Sequence, residues 1–167
     1  LLLPLVLGLT ACATPHDAGP PVTLVANQAN VVAYWNDIAN KTVLATSAAA
    51  TTPEEQRPTF FFDVASVHVA IYDAVVAIEG GYKPFAVKPK SPAAGASTEA
   101  AVSAAAFGVL KALFPNRIAV YQAAYEQRLA AVADGPAKAL GLALGSEVAA
   151  EVVRLRANDG RSVALAP

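Results

Sequence analysis

His68, Tyr72 and Asp73 stand close together in the stretch FDVASVHVAIYDAVVAIEGGYKPF. A histidine with a nearby carboxylate can serve as a general acid/base pair. On a helix, His68 and Tyr72 are four positions apart and share a face. Asp73 lies about 100° further round. Groups five apart on one helix do not converge on a single substrate atom. A carboxylate set in so apolar a run also needs partners, because burying it unpaired is very costly. Asp73 is therefore expected to bond a neighbouring helix end or loop. A rival enzyme reading adds Glu79 to His68 and Asp73, but no nucleophile accompanies them.

Other chemistries have less to work with. The chain contains two His and one Cys, in separate segments and without paired ligand spacing, so no metal site is expected. It has no Gly-x-Ser-x-Gly elbow and no Gly-rich phosphate loop. Lys83, Lys88 and Lys90 cluster in one connector and read as a solvated loop. The net charge of −1 gives no basic field for nucleic acid.

The elements that must position these groups are helical. Hydrophobic residues make up 55% of the 167 residues and charged residues 15%, against about 25% charged in an average domain. Much of the excess is alanine, the strongest helix former. Five helices are predicted, in an all-α architecture. The first covers 25–45, with an apolar stripe through Val31, Trp35, Ile38 and Thr42. The second covers 58–79, is apolar almost all round and should be buried on most sides; Gly80-Gly81 supplies its C-cap signal. A Pro- and Lys-rich connector follows. Ser97 caps the third helix, with Glu99 in its first turn, and that helix ends near Phe114-Pro115. The fourth covers 116–133 and the fifth 136–158. Gly141 and Gly145 share a face of the fifth and permit close helix approach.

The amino-terminal stretch LLLPLVLGLTACATP reads as an export address. Leu1 to Leu9 is an apolar run too short for a membrane span, which needs about 20 residues, but suited to the core of a secretory signal. Leu9-Thr10-Ala11-Cys12 resembles the bacterial lipoprotein signature, which implies lipidation of Cys12, the single cysteine. Residues 1–12 are thus read as a lipoprotein-type signal sequence and 13–24 as a polar, Pro/Gly-rich tether. Within the tether His16 and Asp17 are expected to be solvated. Residues 25–167 form the helical part. Methionine is absent, and the chain is expected to be part of a longer one.

Several runs share an order and spacing with a known family. They include Val67-His68 with Tyr72-Asp73-Ala74, then Tyr82-Lys83-Pro84-Phe85 and Leu113-Phe114-Pro115. Asp134-Gly135-Pro136 and Asn158-Asp159-Gly160 continue the series. Together they resemble bacterial vanadium-dependent haloperoxidase-like proteins of the type 2 phosphatidic acid phosphatase superfamily, over residues 30–160. The resemblance implies an all-helical bundle around an oxyanion site. That site takes a phosphoester in phosphatases, and vanadate for peroxide-driven halide oxidation in haloperoxidases. The family's chemistry rests on Lys-x6-Arg-Pro, Pro-Ser-Gly-His and Ser-Arg-x5-His blocks, which lie downstream of the matching region. None occurs here: Arg57-Pro58 has Ala50 at the lysine position. No catalytic residue carries over, and His68, Tyr72 and Asp73 are expected to mark the family as structural residues.

The expectation is a partial helical bundle belonging to a larger all-helical domain. It would be the scaffold half of an exported haloperoxidase/acid-phosphatase-like enzyme. The partners expected are the missing carboxy-terminal catalytic helices and the membrane, through a lipid anchor in the bacterial cell envelope. Vanadate would belong to the full-length parent, and homo-oligomerisation is left open. The alternative is a complete small lipid-anchored helical module, binding or structural, without catalysis.

Overall fold

The computed structural model describes residues 30–49 and 60–160. Cys12, His16, Asp17 and Arg57-Pro58, with the signal and tether assignments, lie outside the described residues. The described chain is all-α: α1 (Val31–Ala48), α2 (Phe60–Glu79), α3 (Thr98–Leu113), α4 (Ile118–Ala130) and α5 (Pro136–Arg156). A short 3₁₀ turn, Pro115–Arg117, links α3 to α4.

Local chemistry sets most of the ends. Asn30 caps α1, its Oδ1 accepting the Val32 amide at 2.8 Å. The helix therefore starts at Val31, later than the predicted residue 25, and it runs three residues past the predicted end at 45. Ser97 caps α3 by accepting the Ala100 amide at 3.2 Å. Gly80 and Gly81, with φ of 71° and 80°, stop α2 in the left-handed region that glycine alone enters cheaply. The fourth helix ends at Ala130, short of the predicted 133. There Lys138 reaches back from the first turn of α5 to the Leu129 and Val132 carbonyls, at 2.8 and 3.2 Å. A cation at a helix C-terminus satisfies orphan carbonyls and suits the helix dipole.

Helix α3 is the centre of the bundle and packs against α1, α2, α4 and α5. Its alanines make close approach possible: every residue from Ala100 to Ala106 is buried. Helix α5 runs beside it in the same direction. The Ser97 amide donates to the Ala137 carbonyl at 2.8 Å, Gly141 faces Ser97 and Ala100, and Gly145 faces Ala101. A Cβ at Gly145 would fall 2.1 Å from the Ala101 carbonyl oxygen, so only glycine fits there. The shared core also holds Trp35, Val67, Leu110, Tyr121 and Leu144, all fully or almost fully buried. The Trp35 indole N–H donates to Ser103 Oγ at 3.3 Å, which meets the one polar need of a buried tryptophan.

The second helix is buried on most sides, as expected, and leaves one stripe partly exposed. Its inner face, with Val67, Ala70, Ile71 and Ala74, is sealed. Phe61, Ala65, His68, Tyr72 and Glu79 fall along one outer stripe at about 100° per residue. Of these, Phe61 is 67% exposed and Tyr72 40%, and Phe62 beside the stripe is 60% exposed. Among the described elements, α1, α3 and α5 pack against α2. By length and hydropathy alone Phe61–Glu79 could cross a membrane. However, 44% of that window is buried in the bundle, and Asp63 and Asp73 on it are buried as well. We read it as a core helix whose outer stripe is partly exposed.

Candidate functional site: the second helix and its following loop

Three titratable groups of α2 bond three different elements. His68 turns to α1, Asp73 to the following loop and Glu79 to the start of α3. They do not meet around one cavity, so the geometry gives no acid, base and nucleophile a common substrate atom.

Asp73 is fully buried. Its Oδ1 accepts the Phe85 amide at 2.6 Å, and its Oδ2 accepts the Ala86 and Val87 amides at 2.9 and 2.7 Å. Three consecutive backbone N–H groups thus converge on one carboxylate. Charge-assisted bonds of this kind are about twice as strong as neutral ones. Their role is to fold the loop back onto the helix that precedes it. Tyr72, one position earlier, donates its hydroxyl to the Lys83 carbonyl at 3.1 Å. Glu79 accepts a hydrogen bond from the Thr98 hydroxyl, which ties the end of α2 to the first turn of α3.

His68 is half-buried, with Nε2 2.9 Å from Asn36 Oδ1. The same oxygen accepts from Asn40 Nδ2 at 3.1 Å. It is therefore an acceptor, and His68 Nε2 carries the proton. Burial lowers the His68 pKa below its usual value, favouring the neutral ring. A neutral histidine with its Nε2–H engaged by an amide is a helix-to-helix link.

The loop is held at its far end too. Glu147 of α5 accepts the Lys90 amide at 2.7 Å and the Ser91 amide at 2.9 Å. The Lys90 amide is the main reason its carboxyl sits below the usual range. A groove of about 400 Å³ runs here past Val87, Lys88, Lys90, Glu147, Glu151 and Arg154. Glu151 is paired with Arg154 on the same helix. A second groove of about 410 Å³ opens where Thr46 of α1 meets Phe114 and Arg117.

Sequence reasoning missed three long-range polar links. The Asn36 partner of His68 lies 32 residues away, and the Glu147 link to Lys90 spans 57. The third joins three helices: Arg128 of α4 pairs with Glu99 of α3 and lies over the Tyr34 ring of α1, 5.0 Å from its centroid. Glu99 carries a local signal as a first-turn acid, but nothing near it in sequence points to Arg128. Among the described residues no three His, Cys, Asp or Glu side chains gather as a metal-holding group. No family model, no curated protein and no solved structure matches this chain.

Proposed function

We propose that this chain is the amino-terminal helical scaffold of an exported haloperoxidase- or acid-phosphatase-like protein, anchored through Cys12. Its oxyanion site, for vanadate or phosphate, would be formed by helices outside this sequence. The observation that carries the reading is the outer stripe of α2. Phe61 and Phe62 remain more than half exposed on a helix whose opposite face is sealed core. Exposed aromatic side chains on a long apolar helix are what a scaffold presents to further helices. The tied Tyr82-Lys83-Pro84-Phe85 loop fits the same role, since a carboxylate that clamps a loop adds definition to a surface rather than chemistry. On this reading His68, Tyr72 and Asp73 position elements and do not react.

A second reading has its own support: the five helices share one core with fully buried Trp35, Leu110 and Tyr121, as a self-sufficient binding module would. The coding sequence after Pro167 separates the two. A frame that continues into Lys-x6-Arg-Pro, Pro-Ser-Gly-His and Ser-Arg-x5-His, with vanadate or phosphate binding by the longer product, supports the scaffold. An immediate stop removes any catalytic claim and leaves the lipid-anchored module.

A further inference from the structure

We propose that the loop at residues 82–90 is a membrane-surface contact, built to lie against the headgroups of an anionic bilayer. The inference does not depend on the oxyanion reading. It starts from what the loop exposes. Tyr82 is 79% exposed and Phe85 77%, the two most exposed large apolar side chains among the described residues. Around them stand Lys83, Lys88 and Lys90, all exposed. From Gly80 to Thr98 these lysines are the charged residues, with no Asp or Glu among them, in a chain whose net charge is −1. Of the adjacent acids of α5, Glu151 is paired with Arg154, whereas Glu147, held by the Lys90 and Ser91 amides, keeps its charge beside Lys90 and leaves Lys83 and Lys88 as the loop's free positive charges.

The loop is also held in shape before any partner arrives. Asp73 fixes the amides of Phe85, Ala86 and Val87, Tyr72 holds the Lys83 carbonyl, and Glu147 holds the far end. The Phe85 backbone is therefore pinned inward while its ring points to solvent. A surface ordered in advance loses little conformational entropy on docking.

The residue types choose between a lipid and a protein partner. Protein interfaces enrich arginine with their aromatics and deplete lysine. Membrane interfaces combine amphipathic or aromatic rings at headgroup depth with lysines that reach the phosphates. This loop has Tyr, Phe and three Lys, and no Arg.

The test uses the full chain carrying Phe85→Trp. Trp35 is fully buried in the core and gives a constant background. Vesicles of phosphatidylglycerol mixed with phosphatidylcholine are compared with vesicles of phosphatidylcholine alone. The expected result is a blue shift of the added emission on the anionic vesicles, reversed by high salt. Replacing Lys83 and Lys88 by Gln in the same reporter should weaken partitioning about fivefold per lysine. Three results would overturn the proposal. One is an unchanged emission on anionic vesicles. Another is a shift that is equal on both vesicle types and indifferent to the lysines, which would report the apolar Leu1 to Leu9 segment. The third is a shift without lipid that grows with protein concentration, which would make the loop a contact between copies of the chain.

Discussion

Asp73 and Val87 are joined by a 2.7 Å hydrogen bond from a loop amide to a buried carboxylate, across 14 positions of the chain. With the Phe85 and Ala86 amides beside it, this bond makes one α2 side chain the organising group of the connector. Replacing Asp73 by Ala would strand the Val87 amide at a buried site and the Phe85 and Ala86 amides at partly buried ones. Hydrogen bonds to a charged group contribute about 1.5–3 kcal/mol, and stranded buried donors add to the loss. We expect Asp73→Ala to cost about 3 kcal/mol or more in denaturant unfolding, with faster hydrogen exchange at residues 85–87. Asp73→Asn should cost less, because one oxygen still accepts. Unchanged protection at those amides in Asp73→Ala would show that the loop holds its shape without the carboxylate.

A second expectation concerns the α3–α5 seam. The Cβ of Gly145→Ala would meet the Ala101 carbonyl oxygen at 2.1 Å, a backbone atom that no side-chain rotation can move aside. Alanine gains about 1 kcal/mol in helix propensity, and overpacking typically costs about 1–3 kcal/mol. The steric term should dominate because α3 is the central helix and cannot shift alone. Thermal unfolding of Gly145→Ala should therefore show a lower Tm than the parent. A raised Tm would mean that the two helices separate readily.

These two sites also show what the sequence could and could not disclose. Gly141 and Gly145 are spaced on one helical face, so close packing was legible, although the identity of the facing helix was not. The Ser97 cap and the Gly80-Gly81 stop were legible because capping is chemistry between neighbours. The true start of α1 had its signal as well: Asn30 immediately precedes the apolar stripe, and asparagine is a strong cap. Asp73 plainly needed partners, but its three amides sit in a Pro-rich loop where no periodicity marks them. Asn36 and Arg128 were hidden for a related reason. Their roles depend on which helix packs beside which, and helical spacing carries no information about that. The open stripe of α2 was the opposite case. Its near-uniform hydrophobicity pointed to burial on most sides, and only the packing of α1, α3 and α5 shows which stripe stays exposed.

His68 gives a dependence on pH whose sign follows from burial. Its pKa in the folded protein is lowered from 6.5. Between the folded and unfolded values the unfolded chain holds more protons, so stability rises with pH there. Stability should be complete above about pH 6.5 and decline as pH falls through that value towards the folded pKa. Glu147, whose carboxyl is lowered from 4.5, contributes stability that is lost only at more acidic pH, below that ordinary value. Unfolding midpoints measured from pH 8 to pH 5 on the parent and on His68→Gln separate the two effects. Glutamine can still donate to Asn36 but does not titrate. The slope between the two carboxyl and imidazole ranges should disappear in His68→Gln, and a slope that survives would assign it to another group.

The outer stripe of α2 yields the prediction that bears most directly on function. Phe61 and Phe62 are 67% and 60% exposed, so Phe61→Ser with Phe62→Ser removes little core packing. Substitutions at such surface positions usually stay within about 0.5 kcal/mol. Arg156 lies 5.8 Å from the Phe62 ring centroid, and loss of that contact adds an effect of about 0.5–1 kcal/mol. The unfolding midpoint of this chain should thus fall only slightly. Self-association should fall clearly, because exposed aromatic patches drive non-specific contact. If α2 is instead one wall of a larger helical assembly, the same two changes in the longer protein fill an interior interface with hydroxyl groups. Each lost phenylalanine would then cost about 3–5 kcal/mol. Equilibrium unfolding and sedimentation of the double variant, in this chain and in the longer product, therefore read out whether the stripe is surface or seam. A large loss in this chain alone would place the two rings inside a core that these five helices already complete.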